Sequence, residues 1–166
     1  MAGLKARPAV IADVPAITEI YNEGIAERIA TFETEPRMID QVAAWLGRCH
    51  PVLVVEDIDG TVVAWASTSS YRDRACYAGI AEFSVYVGRK HRGRGAGHVA
   101  LIALKDAAAA AGLWKLLSRI FVENQASRAL CRSVGFREVG IYEKHGKLDG
   151  VWRDVVIVEC LIGETA

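Results

Sequence analysis

Three groups of residues in this sequence have types and spacing suited to chemistry. The first is "RKHRGRGAGH", residues 89–98, where Gly93, Gly95 and Gly97 alternate with Arg92, Arg94 and Ala96 and lead into a run of strong helix formers. A helix N-terminus has unpaired N–H groups and the positive end of the macrodipole. Glycines let that backbone approach an anion closely and take positive φ without strain. Such a turn is suited to cradling a phosphate, with the arginines adding charge. The ordinary alternative is a basic surface turn, because a glycine-rich loop alone is a weak signal. The second is Glu82, the one acid in the apolar run "IAEFSVYV" (80–87). It is either a general base or a solvent-facing residue beside Ser84 and Tyr86. The third is "SYRDR", in which Arg72 and Arg74 flank Asp73 and point the same way if the segment is extended. Two planar guanidiniums suit one carboxylate-like anion, or they are solvated loop arginines.

The elements that must position these residues follow from periodicity and punctuation. "LKARPAV" reads as a short first strand. Asp13 is placed to cap a helix with Pro15 in its first turn and Ile17, Ile20, Tyr21 and Ile25 on one face. Ile39, Val42, Ala43 and Leu46 have the spacing of a second short helix. The period then changes to strands over 52–56, 61–69 and 80–87, the first two joined through Asp59-Gly60. In the third of them alternation puts Glu82, Ser84 and Tyr86 on one face and Phe83, Val85 and Val87 on the other. A long helix from about His98 to Ala111 stops at Gly112. A strand at 116–122 follows, then a helix from about Gln125 to Val134 with Asn124 at its N-cap. "FREVGIYE" and "VWRDVVIVECL" are closing strands that turn at Asp149-Gly150. The order β-α-α-β-β-β-α-β-α-β-β predicts an α+β fold, a mixed sheet with helices on both faces.

Composition narrows the function. The 166 residues suit one domain, 1–166, and 52% hydrophobic content is ample for a core. Twenty basic residues balance twenty acidic ones, which argues against nucleic acid or an anionic membrane as partner. Five of the six residues 89–94 are Lys, Arg or His, so the positive charge there is local and suits a small anion. No apolar run reaches the roughly 18–20 residues of a membrane span. The first ten residues hold no signal-peptide core. Four dispersed cysteines without a CxxC, and four dispersed histidines, suggest a cytoplasmic protein with free thiols and no metal.

Among phosphate ligands, a P-loop would need Lys-Ser/Thr after the last glycine, but His98 and Val99 follow Gly97. A dinucleotide site would put its glycines after the first strand, and this turn follows the fourth. The strand "SVYV" followed by "RKHRGRGAG" resembles instead the R/Q-x-x-G-x-G/A signature of the GNAT acetyltransferases, with Arg92, Gly95 and Gly97 at the defining positions. The order of elements is similar to that family's across essentially the whole chain. "IYNEGIAERIATFETEP", "SSYRDRACY", "AEFSVYV" and "ENQASRALCRSVGFREVG" resemble the branch that acetylates phosphinothricin and methionine sulfoximine, with arsinothricin enzymes in the same neighbourhood.

The resemblance implies acetyl-CoA as co-substrate, with its pyrophosphate held by Arg92, Gly93, Arg94, Gly95, Ala96, Gly97 and His98. Val85, Tyr86 and Val87 would pair with pantetheine through their backbone, and the Val85 N–H would polarise the thioester carbonyl. Asn124 and Ser133 match further coenzyme contacts, Asn124 being a helix cap as well. Glu82 would be the general base that frees an amine for direct attack in a ternary complex. Phe32, Arg72, Asp73, Arg74, Phe83, Ser84 and His145 would meet the acceptor. Expected, then, is an N-acetyltransferase acting on the α-amine of a small anionic amino acid analogue, detoxifying it, in a homodimer. The rival readings are a peptide or protein N-acetyltransferase and a non-catalytic acyl-CoA-binding regulator. Two departures stand out. Cys131 occupies the position where many relatives have a tyrosine general acid, so no general acid is assigned. "KHGKLDGVWRD" matches Lys144, His145, Gly146, Trp152 and Asp154 of the branch but inserts several residues, about 147–150, in a hairpin that borders the acceptor site in relatives.

Overall fold

Seven strands form one sheet in the order β1-β2-β3-β4-β5-β7-β6 in this computed structural model, which describes residues 3–165. The strands are β1 (Lys5–Pro8), β2 (Val52–Glu56), β3 (Val62–Ser70), β4 (Ile80–Val87), β5 (Lys115–Phe121), β6 (Arg137–Leu148) and β7 (Val151–Leu161). The helices are α1 (Val14–Ala26), α2 (Ile39–Ala43), α3 (Ala96–Ala110) and α4 (Gln125–Ser133). All neighbouring pairs are antiparallel except β4 and β5. The expected mixed sheet is therefore present.

Each face of the sheet has its own helix. On one side the alanine-rich α3 lies close, with Leu101, Leu104 and Ala108 fully buried against Val55, Ala64, Phe83 and Leu116. Fully burying a leucine side chain contributes about 1.5–3 kcal/mol, so this stripe is a main anchor of α3. On the other side Ile17, Tyr21 and Ile25 of α1 pack with Val42 of α2 against Val54 and Trp65. Alternation along β4 follows the expectation. Phe83 is buried under α3, with Val85 and Val87 packed on the same core, and Tyr86 stacks on Trp65 at 4.9 Å on the opposite face.

Two local expectations are corrected. Asp13 does not cap α1 with its side chain. Its carboxylate accepts instead from the Val10 N–H and from the Arg7 guanidinium, at 2.7–2.8 Å, tying the start of α1 to β1. Strand β6 does not stop near Glu143 but runs on to Leu148 through a bulge, because Tyr142 pairs with Val155 and Gly146 with Arg153. The Lys144 N–H donates to Asp154 at 2.7 Å inside that bulge. The turn itself falls at Asp149-Gly150, both at positive φ (49° and 80°), as expected of a two-residue hairpin.

Candidate active site

The site exists because β4 and β5 part. They pair in parallel only from Ile80↔Lys115 to Glu82↔Leu117. Beyond that point β4 stays on β3 as far as Val87, while β5 stays on β7 as far as Phe121. The backbone of residues 83–87 is left without a strand partner on that side. A cavity of about 1110 Å³ opens into the gap. Its size and its unpaired strand edge suit an extended ligand that adds to the sheet.

At one end of the cavity stands the N-terminus of α3. Gly95 is its N-cap with φ 89°, and no side chain caps the helix. A residue with a Cβ is strained at that angle, so glycine serves the turn itself. Gly93, Gly95, Ala96, Gly97 and His98 all line the cavity there. Arg92 lines it too, but its charge is already engaged. Its guanidinium donates to both carboxylate oxygens of Glu27 at 2.8 and 3.2 Å and to the Val87 carbonyl. Arg89 joins the same carboxylate at 2.8 Å. The Arg92 hydrogen bonds first, then those of Arg89, hold the Glu27 carboxyl below its ordinary range against the opposing effect of burial. Positive potential for an anion thus comes from the helix end, with the arginines braced behind it on α1.

Where β4 and β5 diverge, Glu82 projects into the cavity and its Oε1 accepts from Arg119 Nη2 at 2.5 Å. Phe83, Ser84, Val85, Tyr86 and Val87 continue along the wall. The loop after α1 supplies the opposite side. Arg28 fastens it by donating to the carbonyls of Ile25 and Thr34 and to Asp149 of the last turn. This places Phe32 edge-on to Phe121 at 4.8 Å and directly over Gly146. A Cβ at 146 would come 2.8 Å from the Phe32 ring, so the close contact requires glycine. His145, next in the bulge of β6, lines this end of the cavity as well.

Of the remaining sequence candidates Asn124 lines the cavity, whereas Arg72, Asp73, Arg74, Arg94 and Ser133 do not. Arg72, Asp73 and Arg74 are exposed and are not part of the cavity wall; the two guanidiniums lie over the rings of Tyr71 and Tyr77. Their loop leaves the sheet just beyond Ser69, which pairs with Glu82 and does line the cavity, so it adjoins the Glu82 end. Arg94 is exposed outside the wall. Ser133 hydrogen-bonds the Leu130 carbonyl and contacts His98 at 3.3 Å, behind the glycine turn. Asn124 caps α4 by accepting from the Ser127 N–H and donates to the Ile29 carbonyl, joining α4 to the loop that carries Phe32.

Residues 17–136 match the model of the acetyltransferase (GNAT) family. The chain belongs to this family. It is 34% identical to the phosphinothricin N-acetyltransferase of Streptomyces coelicolor over 95% of this chain and 96% of that protein. It is 32% identical to an L-methionine sulfoximine/L-methionine sulfone acetyltransferase of Pseudomonas paraeruginosa, covering 96% and 95% of the two chains. Among solved structures it superposes, with a TM-score of 0.90 and 31% identity, on a GNAT superfamily phosphinothricin acetyltransferase from Sinorhizobium meliloti in complex with acetyl-CoA, covering 98% of this chain and 90% of that one.

Within this GNAT fold Cys131 takes no part in the cavity. On the inner face of α4 it is 1% exposed, and burial pushes the thiol up to about 12. A buried thiol with a raised pKa is inert as a nucleophile, and Cys131 is not among the residues that line the cavity. The sequence reading missed Arg119 and Glu27 as parts of the cavity wall, and it named Gly146 and the 147–150 insertion only as features of the last hairpin. Arg119 carried a visible signal, being the only charged residue inside "LLSRIF" (116–121), the same kind of exception that singled out Glu82.

Proposed function

We propose that this GNAT enzyme transfers acetyl from acetyl-CoA to the α-amine of a small anionic amino acid analogue of the phosphinothricin, methionine sulfoximine or arsinothricin type, and so detoxifies it. The observation that carries this reading is the position of Glu82. It stands at the fork of β4 and β5, in one cavity with the uncapped glycine N-terminus of α3. Gly93 to His98 fit a pyrophosphate, and the unpartnered edge of Phe83–Val87 fits the pantetheine chain. Bound acetyl-CoA supplies an activated thioester. Glu82 takes the proton from the acceptor's ammonium, leaving the nitrogen lone pair free to form the amide bond as the thioester C–S bond breaks and coenzyme A leaves as its thiolate, which takes a proton from water. Phe32 and Phe121 cover the acceptor's methylenes. Arg72 and Arg74, at the rim beyond Ser69, receive its distal anion. The four cysteines are free thiols, in keeping with a reducing cytoplasm.

The test is direct mass-spectrometric detection of product from purified protein, acetyl-CoA and a panel of phosphinothricin, methionine sulfoximine, arsinothricin, glutamate and a short peptide pool. Rapid acetylation of one or more of the glutamate-like analogues, weakened in Arg72→Ala, is expected. Acetylated peptide alone would overturn the reading in favour of a protein-modifying enzyme. No product with intact coenzyme A binding would overturn the acceptor class.

A homodimer is part of the same proposal. Strand β6 is the outer edge of the sheet, and Ile141, Tyr142 and Trp152 on β6 and its neighbour are each more than half exposed, the sort of edge that a second copy covers. Sedimentation is expected to give twice the 18.0 kDa chain mass; a species at the chain mass would contradict it.

A further inference from the structure

The Glu82–Arg119 pair is unusual for its setting. Along β5, Leu116, Leu117, Ile120 and Phe121 are all buried, and Arg119 alone turns a charge into the cavity. Its side chain is 39% exposed and that of Glu82 is 25% exposed. Ion pairs this accessible add little to fold stability, so stability is a weak reason for the arginine. A guanidinium has five N–H donors. Among the described residues Arg119 has one hydrogen-bond partner, Glu82 Oε1, leaving the remaining donors facing the cavity.

An α-amino acid carries its own ammonium and carboxylate on a single carbon. A carboxylate and a guanidinium 2.5 Å apart, both open to the same space, are its charge complement. We propose that Arg119 is the specificity-determining residue of this site: it binds the acceptor's α-carboxylate and thereby presents the α-ammonium to Glu82. The proposal rests on the amino-acid acetyltransferase reading above and sharpens it. An acceptor whose α-carboxylate is tied up in an amide, as at the N-terminus of a peptide or protein, leaves Arg119 unanswered. The distal anion at Arg72 and Arg74 then serves affinity among amino acids, while Arg119 separates free amino acids from peptides.

The experiment compares methionine sulfoximine with its α-carboxamide in the wild type and in Arg119→Ala, Arg119→Gln and Arg119→Lys. Taking the ratio of kcat/KM values for acid and amide within each enzyme, and comparing ratios between enzymes, cancels the different basicity of the two amines. The wild type is expected to favour the acid by at least about thirtyfold, the worth of a charge-assisted hydrogen bond. Arg119→Ala and Arg119→Gln should shrink that ratio by about tenfold or more, chiefly through KM for the acid, with Arg119→Lys in between. Thermal melting and coenzyme A binding check that each variant is folded. Equal losses on acid and amide, with the ratio unchanged, would mean that Arg119 merely orients Glu82 and would overturn the proposal. A wild type indifferent to the α-carboxylate would overturn it too. If the wild type acetylates neither compound but does acetylate peptides, the underlying amino-acid reading fails first and takes this assignment with it.

Discussion

Glu82→Gln is expected to lower kcat for acetyl transfer by about 10²–10⁴-fold, the range by which a positioned general base accelerates proton removal. This corresponds to about 3–5 kcal/mol of barrier. The substitution isolates proton transfer unusually well here. The glutamine carbonyl can still accept from Arg119, so the contact between β4 and β5 at the fork persists. Glu82 also lies at the far end of the cavity from the α3 N-terminus, with the wall 83–87 between them. Coenzyme A affinity and the melting temperature should therefore stay at wild-type values while turnover collapses. An amine that is mostly protonated at neutral pH would still be acetylated slowly from its small neutral fraction, so the residual rate should rise with pH. A variant with kcat within about threefold of the wild type would remove Glu82 from the base role. His145, which also lines the cavity, would then be the group to substitute next.

Much of this site was legible in the sequence because its parts are local. The glycine turn, the acid in an apolar strand and the helix N-cap at Asn124 are each recognisable within about ten residues, and each sits where periodicity placed it. The start of α3 was misjudged by two residues for a local reason. Gly95 itself takes the N-cap position, so Ala96 and Gly97 belong to the first turn rather than to the loop. What the sequence could not convey depends on pairing between distant segments. Arg119 becomes a partner of Glu82 only because β5 lies parallel to β4 and in register with it, with Glu82 opposite Leu117. Nothing in the two segments taken singly specifies that neighbour. The same holds for Glu27, 65 residues away from the Arg92 it neutralises, and for Phe32, which meets Gly146 only when the last hairpin folds back over the loop after α1. Asp13 shows the converse error. Its position before Pro15 satisfied a local rule for capping, but Arg7 on the first strand offered its carboxylate a charged partner, and that pairing won.

Gly95→Val is expected to weaken coenzyme A binding by at least tenfold or so and to lower the melting temperature by several degrees. The two effects have one origin. Residue 95 has φ 89°, which a β-branched residue takes up only with strain of about 1–3 kcal/mol. For a domain of this size about 2 kcal/mol corresponds to about 4–8 °C. If the chain relieves that strain by moving residue 95 toward negative φ, the first turn of α3 swings and its N–H groups no longer converge on the end of the cavity. The helix dipole then points past the anion rather than at it, and the electrostatic attraction falls off within that first turn. Arg92 is poorly placed to compensate, because Glu27 already holds its guanidinium through two hydrogen bonds. Calorimetric titration with coenzyme A, which binds without turnover, separates the two effects. A lowered melting temperature with an unchanged dissociation constant would show that Gly95 serves only the fold and that the pyrophosphate is held elsewhere. Loss of affinity well beyond the stability change would tie the cradle to the geometry of this one residue.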